Sequence, residues 1–294
     1  MKLAARLCLM SLLASPVWAA KVPDEILKTV TFIYVSADGQ TATPNGTGFF
    51  VGVKIGDKDS YAVYLVTAKH VLTDAAGKYF DQVGVRLNKL AGSAELLRLP
   101  LGDNVYTHPT DKDVDIAVIP AVPDQKVFDF KFIPDEMLTT KAGFAELRIG
   151  PGSDVFFTGL FTAFPGQSRN YPIVRFGRVA LITEEKVPWL EAGRQQMLDL
   201  YLLETQSFGG NSGAPAFFYL GSDREPGSLV VGPPVLKLAG IMKGTFNQGA
   251  PLVVTNNTPQ VLAMQNMGIA AVVPAYLLHE VLFQEKLSKM RASQ

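Results

Sequence analysis

The sequence predicts an all-β protein in two halves of about six short strands each, closed by one C-terminal helix. Three observations predict it. Short runs rich in Val, Ile, Leu, Phe and Tyr recur along the chain, bounded by Gly, Pro, Asn and Asp. No helical periodicity intervenes between them, which implies sandwiches or barrels. Between the halves, Pro120, Pro123 and Pro134 interrupt the pattern, with charges set among Phe128, Phe130 and Phe132. Residues 120–140 are therefore expected to be a linker crossing the surface.

In the first half the expected strands are Val30–Val35, Thr47–Val53, Tyr61–Thr67, Gln82–Leu87, Glu95–Leu99 and Asp115–Ile119. Tyr61-Ala62-Val63-Tyr64-Leu65-Val66 is nearly all apolar, as a strand buried on both faces would be. The second half offers Asp154–Leu160, Ile173–Ile182, Met197–Glu204, Ala214–Leu220, Val235–Met242 and Gly268–Val273. Gly221–Pro234 and Thr245–Pro259 read as surface loops. Pro274 opens the helix, and Leu277, Leu278, Val281, Leu282 and Leu287 form its apolar stripe.

The first nineteen residues read as a secretory signal peptide. Lys2 and Arg6 precede an apolar core from Leu7 to Val17, and Val17-Trp18-Ala19 is a small-residue exit. That core is too short to span a bilayer. The expected location is secreted or periplasmic, with no stable membrane anchor after cleavage. Cys8, the only cysteine, lies in this segment, so the mature chain has no thiol, disulfide or cysteine metal site. No cofactor is expected. Basic and acidic residues balance at 27 each, and no basic patch argues for nucleic acid. Roughly 275 mature residues suffice for one large or two small cores.

Ser207-Phe208-Gly209-Gly210-Asn211-Ser212-Gly213-Ala214-Pro215 interrupts two apolar runs with glycines and small polar residues. It reads as a tight bend where backbone N–H groups converge, a setting for a serine nucleophile and its oxyanion hole. A serine needs a base near neutrality, and the chain has three histidines. His279 lies beside the helix stripe and reads as structural. His108 lies in a turn-like stretch and reads as solvated. His70 ends the buried run Leu65-Val66-Thr67-Ala68-Lys69-His70, which would hold it in place. Asp111, Asp113 and Asp115 run into the next apolar strand and could orient the histidine. Spacing alone does not separate Asp113 from Asp115.

Three blocks in this order, Thr67-Ala68-Lys69-His70, Asp115-Ile116-Ala117-Val118 and Gly210-Asn211-Ser212-Gly213, resemble the trypsin-like serine proteases. The likeness is closest to the bacterial HtrA/Deg-type protease domain without a PDZ domain. Thr47-Gly48-Phe49-Phe50-Val51, Gly240-Ile241-Met242-Lys243-Gly244 and Gly268–Pro274 resemble further family strands. The resemblance implies two six-stranded antiparallel β-barrels of chymotrypsin-like fold, residues 20–135 and 136–294, with a C-terminal α-helix. It implies His70 as general base, Asp115 as its orienting acid and Ser212 as nucleophile. The N–H groups of Gly210 and Ser212 would form the oxyanion hole, and the substrate would be a polypeptide. Gln206, Lys243, Gly244 and Thr245 match the substrate side-chain pocket. Gln206 is not acidic, which argues against an Arg or Lys preference. Lys243 would stand beside the pocket entrance and favour an acidic side chain, lie against Asp115 and alter the triad, or face solvent. The runner-up reading is a catalytically impaired protease-fold protein acting as a binding or regulatory module. A third is an esterase with the same triad.

Overall fold

A computed structural model describes residues 22–36, 41–56, 60–191, 193–221, 234–251 and 262–293. The expected signal peptide and most of the expected Gly221–Pro234 loop lie outside the described residues.

The first half holds a short helix α1 (Asp24–Leu27) and seven strands: β1 (Val30–Val35), β2 (Thr43–Lys54), β3 (Tyr61–Thr67), β4 (Gln82–Asn88), β5 (Ala94–Pro100), β6 (Ala117–Pro120) and β7 (Ile133–Pro134). Their order is β5-β4-β1-β2-β3-β6, with β7 added parallel to β2. The second half has helix α2 (Lys141–Glu146), then β8 (Asp154–Gly159) and β9 (Ile173–Leu181). A hairpin of β10 (Val187–Glu191) and β11 (Arg194–Leu198) forms its own two-stranded sheet. Next come β12 (Tyr201–Glu204), β13 (Pro215–Leu220), β14 (Val235–Pro251) and β15 (Leu262–Pro274). Two helices end the chain, α3 (Ala275–Leu282) and α4 (Glu285–Ala292).

In the second half, β12-β15-β14-β13-β8-β9 close into a barrel. The first sheet curls without a closing ladder between β5 and β6. One closed barrel and one curled half-barrel sheet, followed by the terminal helices, make the all-β chymotrypsin-like fold. The expected fold class is met, with the first of the two barrels present as the curled half-barrel sheet.

The alternation of side chains explains the sheets. In β4, Val83, Val85 and Leu87 turn inward while the residues between them stay more exposed. In β3, every residue after Tyr61 is buried, because β2 and β6 flank it in a covered layer.

Four expectations about chain segments change. Residues 120–140 do not simply cross the surface. Phe128, Phe130 and Ile133 are buried in the first core, and the Phe130 ring packs 5.1 Å from Phe50. Met197–Glu204 is not one strand. Asp199 and Leu200 leave the ladder between β11, which belongs to the hairpin, and β12, which belongs to the barrel. The start of the expected Thr245–Pro259 loop is strand, since β14 pairs with β15 as far as Pro251–Leu262. The single expected helix is two. Pro274 is the N-cap of α3 rather than its first residue, and the chain turns extended at Gln284.

The helix break has a structural consequence. Folding back brings Arg291 Nη1 to the Leu282 carbonyl at 2.7 Å, answering an end-of-helix acceptor. The same nitrogen reaches Tyr64 Oη at 3.1 Å, which ties α4 to β3. His108 is buried, not solvated: its Nε2 lies 2.9 Å from Glu280 of α3, and its Nδ1 accepts from the Asp111 N–H at 3.0 Å. The C-terminal helices thus strap the second half onto the first. Among the described residues no helix is long and apolar enough to cross a membrane.

Candidate functional site

His70 lies on a 3₁₀ turn, Lys69–Leu72, directly after β3. Asp115 lies just before β6, and the β3–β6 ladder sets Thr67 opposite Ala117. That register brings Asp115 under His70. The carboxylate grips the histidine twice: Oδ1 accepts the His70 backbone N–H at 3.0 Å, and Oδ2 accepts Nδ1–H at 2.6 Å. The tautomer follows from this network, because a buried carboxylate beside Nδ1 needs a donor there. It leaves Nε2 as the acceptor. Asp115 is 4% exposed, whereas Asp113 faces solvent.

Charge follows geometry. Burial pushes Asp115 up, but the His70 ring and the Lys243 ammonium outweigh burial and hold its carboxyl far below the ordinary carboxylate range. Burial opposes a charged His70, yet the charge and hydrogen bond of Asp115 prevail and raise it above 6.5.

Ser212 sits on the bend between β12 and β13. Gly210 has φ +93° and Gly213 φ +83°, angles that side chains other than hydrogen seldom permit. Asn211 braces the bend: its Oδ1 accepts from the Phe208 N–H at 2.9 Å, and its Nδ2 donates to the Leu160 carbonyl at 2.8 Å. Among the described residues, no protein acceptor engages the N–H of Gly210 or of Ser212. The Ser212 hydroxyl donates to the Lys243 carbonyl at 3.1 Å and makes no hydrogen bond with His70 in this arrangement.

Thr47 of β2 fastens the bend to the first half. Its backbone N–H donates to the Ser212 carbonyl at 2.9 Å. Its hydroxyl donates to the Gly210 carbonyl at 2.7 Å and accepts from the Leu160 N–H at 2.9 Å. Thr67 Oγ1 in turn donates to the Thr47 carbonyl at 2.7 Å. Thr47→Val keeps the shape but leaves a buried acceptor and a buried donor unanswered. The expected loss is about 2–4 kcal/mol in urea unfolding, with an unchanged slope. A loss below about 0.5 kcal/mol, the usual surface value, contradicts this role.

The residues matched to a substrate pocket differ in exposure and surroundings. Gln206 is exposed. The Thr245 hydroxyl lies 3.0 Å from Asn266 Oδ1 and 3.1 Å from the Ile269 carbonyl. Gly244 faces the ring of Trp189. Of the placements expected for Lys243, the structure has the one against Asp115: it is 3% exposed, and its ammonium meets Asp115 Oδ2 at 2.8 Å and Glu191 Oε2 at 2.9 Å. Burial opposes its charge, but the two carboxylates prevail and keep it above 10.5.

Sequence reasoning missed Glu191 and the bracing role of Asn211. Asn211 stood in a recognised block. Glu191 carried no local signal, because its partner is 52 residues away on another sheet.

No protein-family model matches the chain, and no curated protein matches it. Among solved structures it is similar to AL20, a thermostable serine protease from an extremophilic microorganism. The identity is 10% over 88% of this chain and 96% of that one, with a TM-score of 0.45. It is also similar to the Drosophila clip serine protease Grass of the Toll pathway. There the identity is 15% over 90% of this chain and 72% of that one, with a TM-score of 0.47.

Proposed function

We propose that the chain is a serine endopeptidase that cleaves polypeptides through His70, Asp115 and Ser212. The observation that carries this reading is the two-point grip of a buried Asp115 on His70, at 3.0 and 2.6 Å. It leaves Nε2 free to take a proton.

In the proposed reaction, Ser212 Oγ turns from the Lys243 carbonyl toward His70. It gives its proton to Nε2 as it attacks the substrate carbonyl. Asp115 stabilises the imidazolium that forms. The oxyanion meets the N–H groups of Gly210 and Ser212, each such donor typically lowering the barrier by about 3 kcal/mol. His70 then protonates the departing amine, leaving an acyl-enzyme on Ser212. Water, deprotonated by His70, attacks the ester, and His70 returns that proton to Ser212 Oγ as the acid leaves.

The site falls where residues 20–135 and 136–294 meet, and we take these as the two structural halves. The leader-like start of the sequence supports export and action outside the cytoplasm. The three sequence blocks support the HtrA/Deg-type branch.

A fluorophosphonate probe tests the reading. Wild-type protein is expected to label at Ser212, and Ser212→Ala to remain folded and unlabelled. Folded wild-type protein that never labels overturns the proposal. It would favour a binding or regulatory module, the reading supported by the Ser212 hydroxyl resting on the Lys243 carbonyl. A protein that hydrolyses small esters but no polypeptide is an esterase instead.

A further inference from the structure

Lys243 places a full positive charge on the acid of the candidate triad, at 2.8 Å from the oxygen that also binds His70. Alone, Asp115 offers the His70 ring one negative charge. Paired with Lys243 it offers a near-neutral dipole, which stabilises an imidazolium far less. Glu191 meets the same ammonium at 2.9 Å and returns the local sum to one negative charge.

The hairpin that carries Glu191 is seated to hold it there. Val187, Trp189 and Leu198 are buried beneath it. The Trp189 ring lies 5.3 Å from the Lys243 ammonium and packs edge-on against Phe246, 5.0 Å between centroids. It comes within 3.3 Å of the position a Cβ on Gly244 would take, so glycine there lets the indole approach β14. Among the described residues the β10–β11 pair shares no ladder with the barrel, so side-chain packing of this kind helps to seat it.

We propose that Glu191 is a positioning residue of the site, pairing with the buried Lys243 so that His70 still faces one net negative charge. The inference rests on the reading of His70 as general base. The lysine holds Asp115 Oδ2 in place, and the glutamate offsets the electrostatic cost of that hold.

The other charged groups nearby do not replace it. Tyr79 lies near Asp115, and its hydroxyl is pushed above 10.0 by burial and by that carboxylate, so it is neutral. A small cavity behind Asp115 is lined by Asp111, Asp113, Lys186 and Asp199. Lys186 pairs there with Asp111 at 3.3 Å and with Asp199 at 3.6 Å. None of these reaches the Lys243 ammonium.

The test follows the ring protons of His70 by NMR across pH in the mature chain, alongside the pH profile of fluorophosphonate labelling. Glu191→Gln is expected to lower the His70 midpoint by about one pH unit and to slow labelling by about tenfold. Glu191→Asp keeps the carboxylate and should restore most of both. Lys243→Met is expected to raise the midpoint. The double variant, with both charges gone, should return close to wild type. That reversal separates charge balance from scaffolding, since a merely structural glutamate gives a double variant no better than Glu191→Gln. A folded Glu191→Gln protein with an unmoved His70 midpoint overturns the proposal, as does a double variant that fails to reverse it. If the midpoints move as expected but wild type never labels, the charge balance stands and the peptidase reading fails.

Discussion

Asp115→Asn is expected to lower turnover by roughly 10⁴-fold. The amide keeps an oxygen for the His70 backbone N–H, which Asp115 Oδ1 now accepts at 3.0 Å. Beside Nδ1 it presents a donor or a weaker acceptor, so the ring is no longer held in the tautomer that frees Nε2. The developing imidazolium also loses its counter-charge. Stability should fall too. Lys243 would keep only the half-exposed Glu191, and removing one partner of a buried charge costs about 3–5 kcal/mol.

The pH dependence of this loss has a defined sign. The folded-state value of Asp115 is depressed, so its contribution is present above its unfolded value of 3.8 and fades as pH falls below it. His70 is raised in the folded state, so its share is present below 6.5 and fades as pH rises through the folded value. The stability gap between wild type and Asp115→Asn should therefore be widest between these two values and narrow in acid. Urea unfolding across that range measures it. A gap that widens below pH 4, or turnover within tenfold of wild type, contradicts the assigned role.

Gly213→Ala is expected to cost more than about 3 kcal/mol and to abolish probe labelling. A Cβ at Gly213 would stand 2.1 Å from the Thr47 carbonyl oxygen and 2.3 Å from Thr67 Oγ1. The two atoms are bonded to each other at 2.7 Å and so hold Thr47, the residue that fastens the serine bend to the first half, so neither can retreat without disturbing that anchor. The φ of +83° adds strain of its own. Gly209→Ala is the control, because nothing lies within 4 Å of its added Cβ. Chemical denaturation of the pair should separate them. Equal stabilities would mean the bend can shift, and the oxyanion geometry would then not depend on it.

Much of the frame is legible in the amino-acid order. The strands Val30–Val35 and Tyr61–Thr67 carry their boundaries in their side chains, and the structure reproduces both. The helix stripe is legible as well: Leu278, Val281, Leu282 and Leu287 are fully buried. The break at Gln284 is not, since the apolar spacing runs on past it. The His70 turn and the Ser212 bend can be picked out because each joins a buried strand to residues a strand rejects.

Local patterning decides where a chain extends and where it bends, because those preferences act between near neighbours. It cannot choose among distant partners. Asp113 and Asp115 are equivalent to local chemistry, and the β3–β6 register separates them by setting Ala117 against Thr67. His108 looks like a solvated turn residue until α3 brings Glu280 to its ring. Lys243 reads equally as a pocket residue or a partner of Asp115 until packing turns it inward, to that carboxylate 128 residues away and to Glu191, 52 residues away. Burial makes those choices binding, because a lysine withdrawn from water must find opposite charge within reach. Which carboxylates stand there is a property of the assembled sheets.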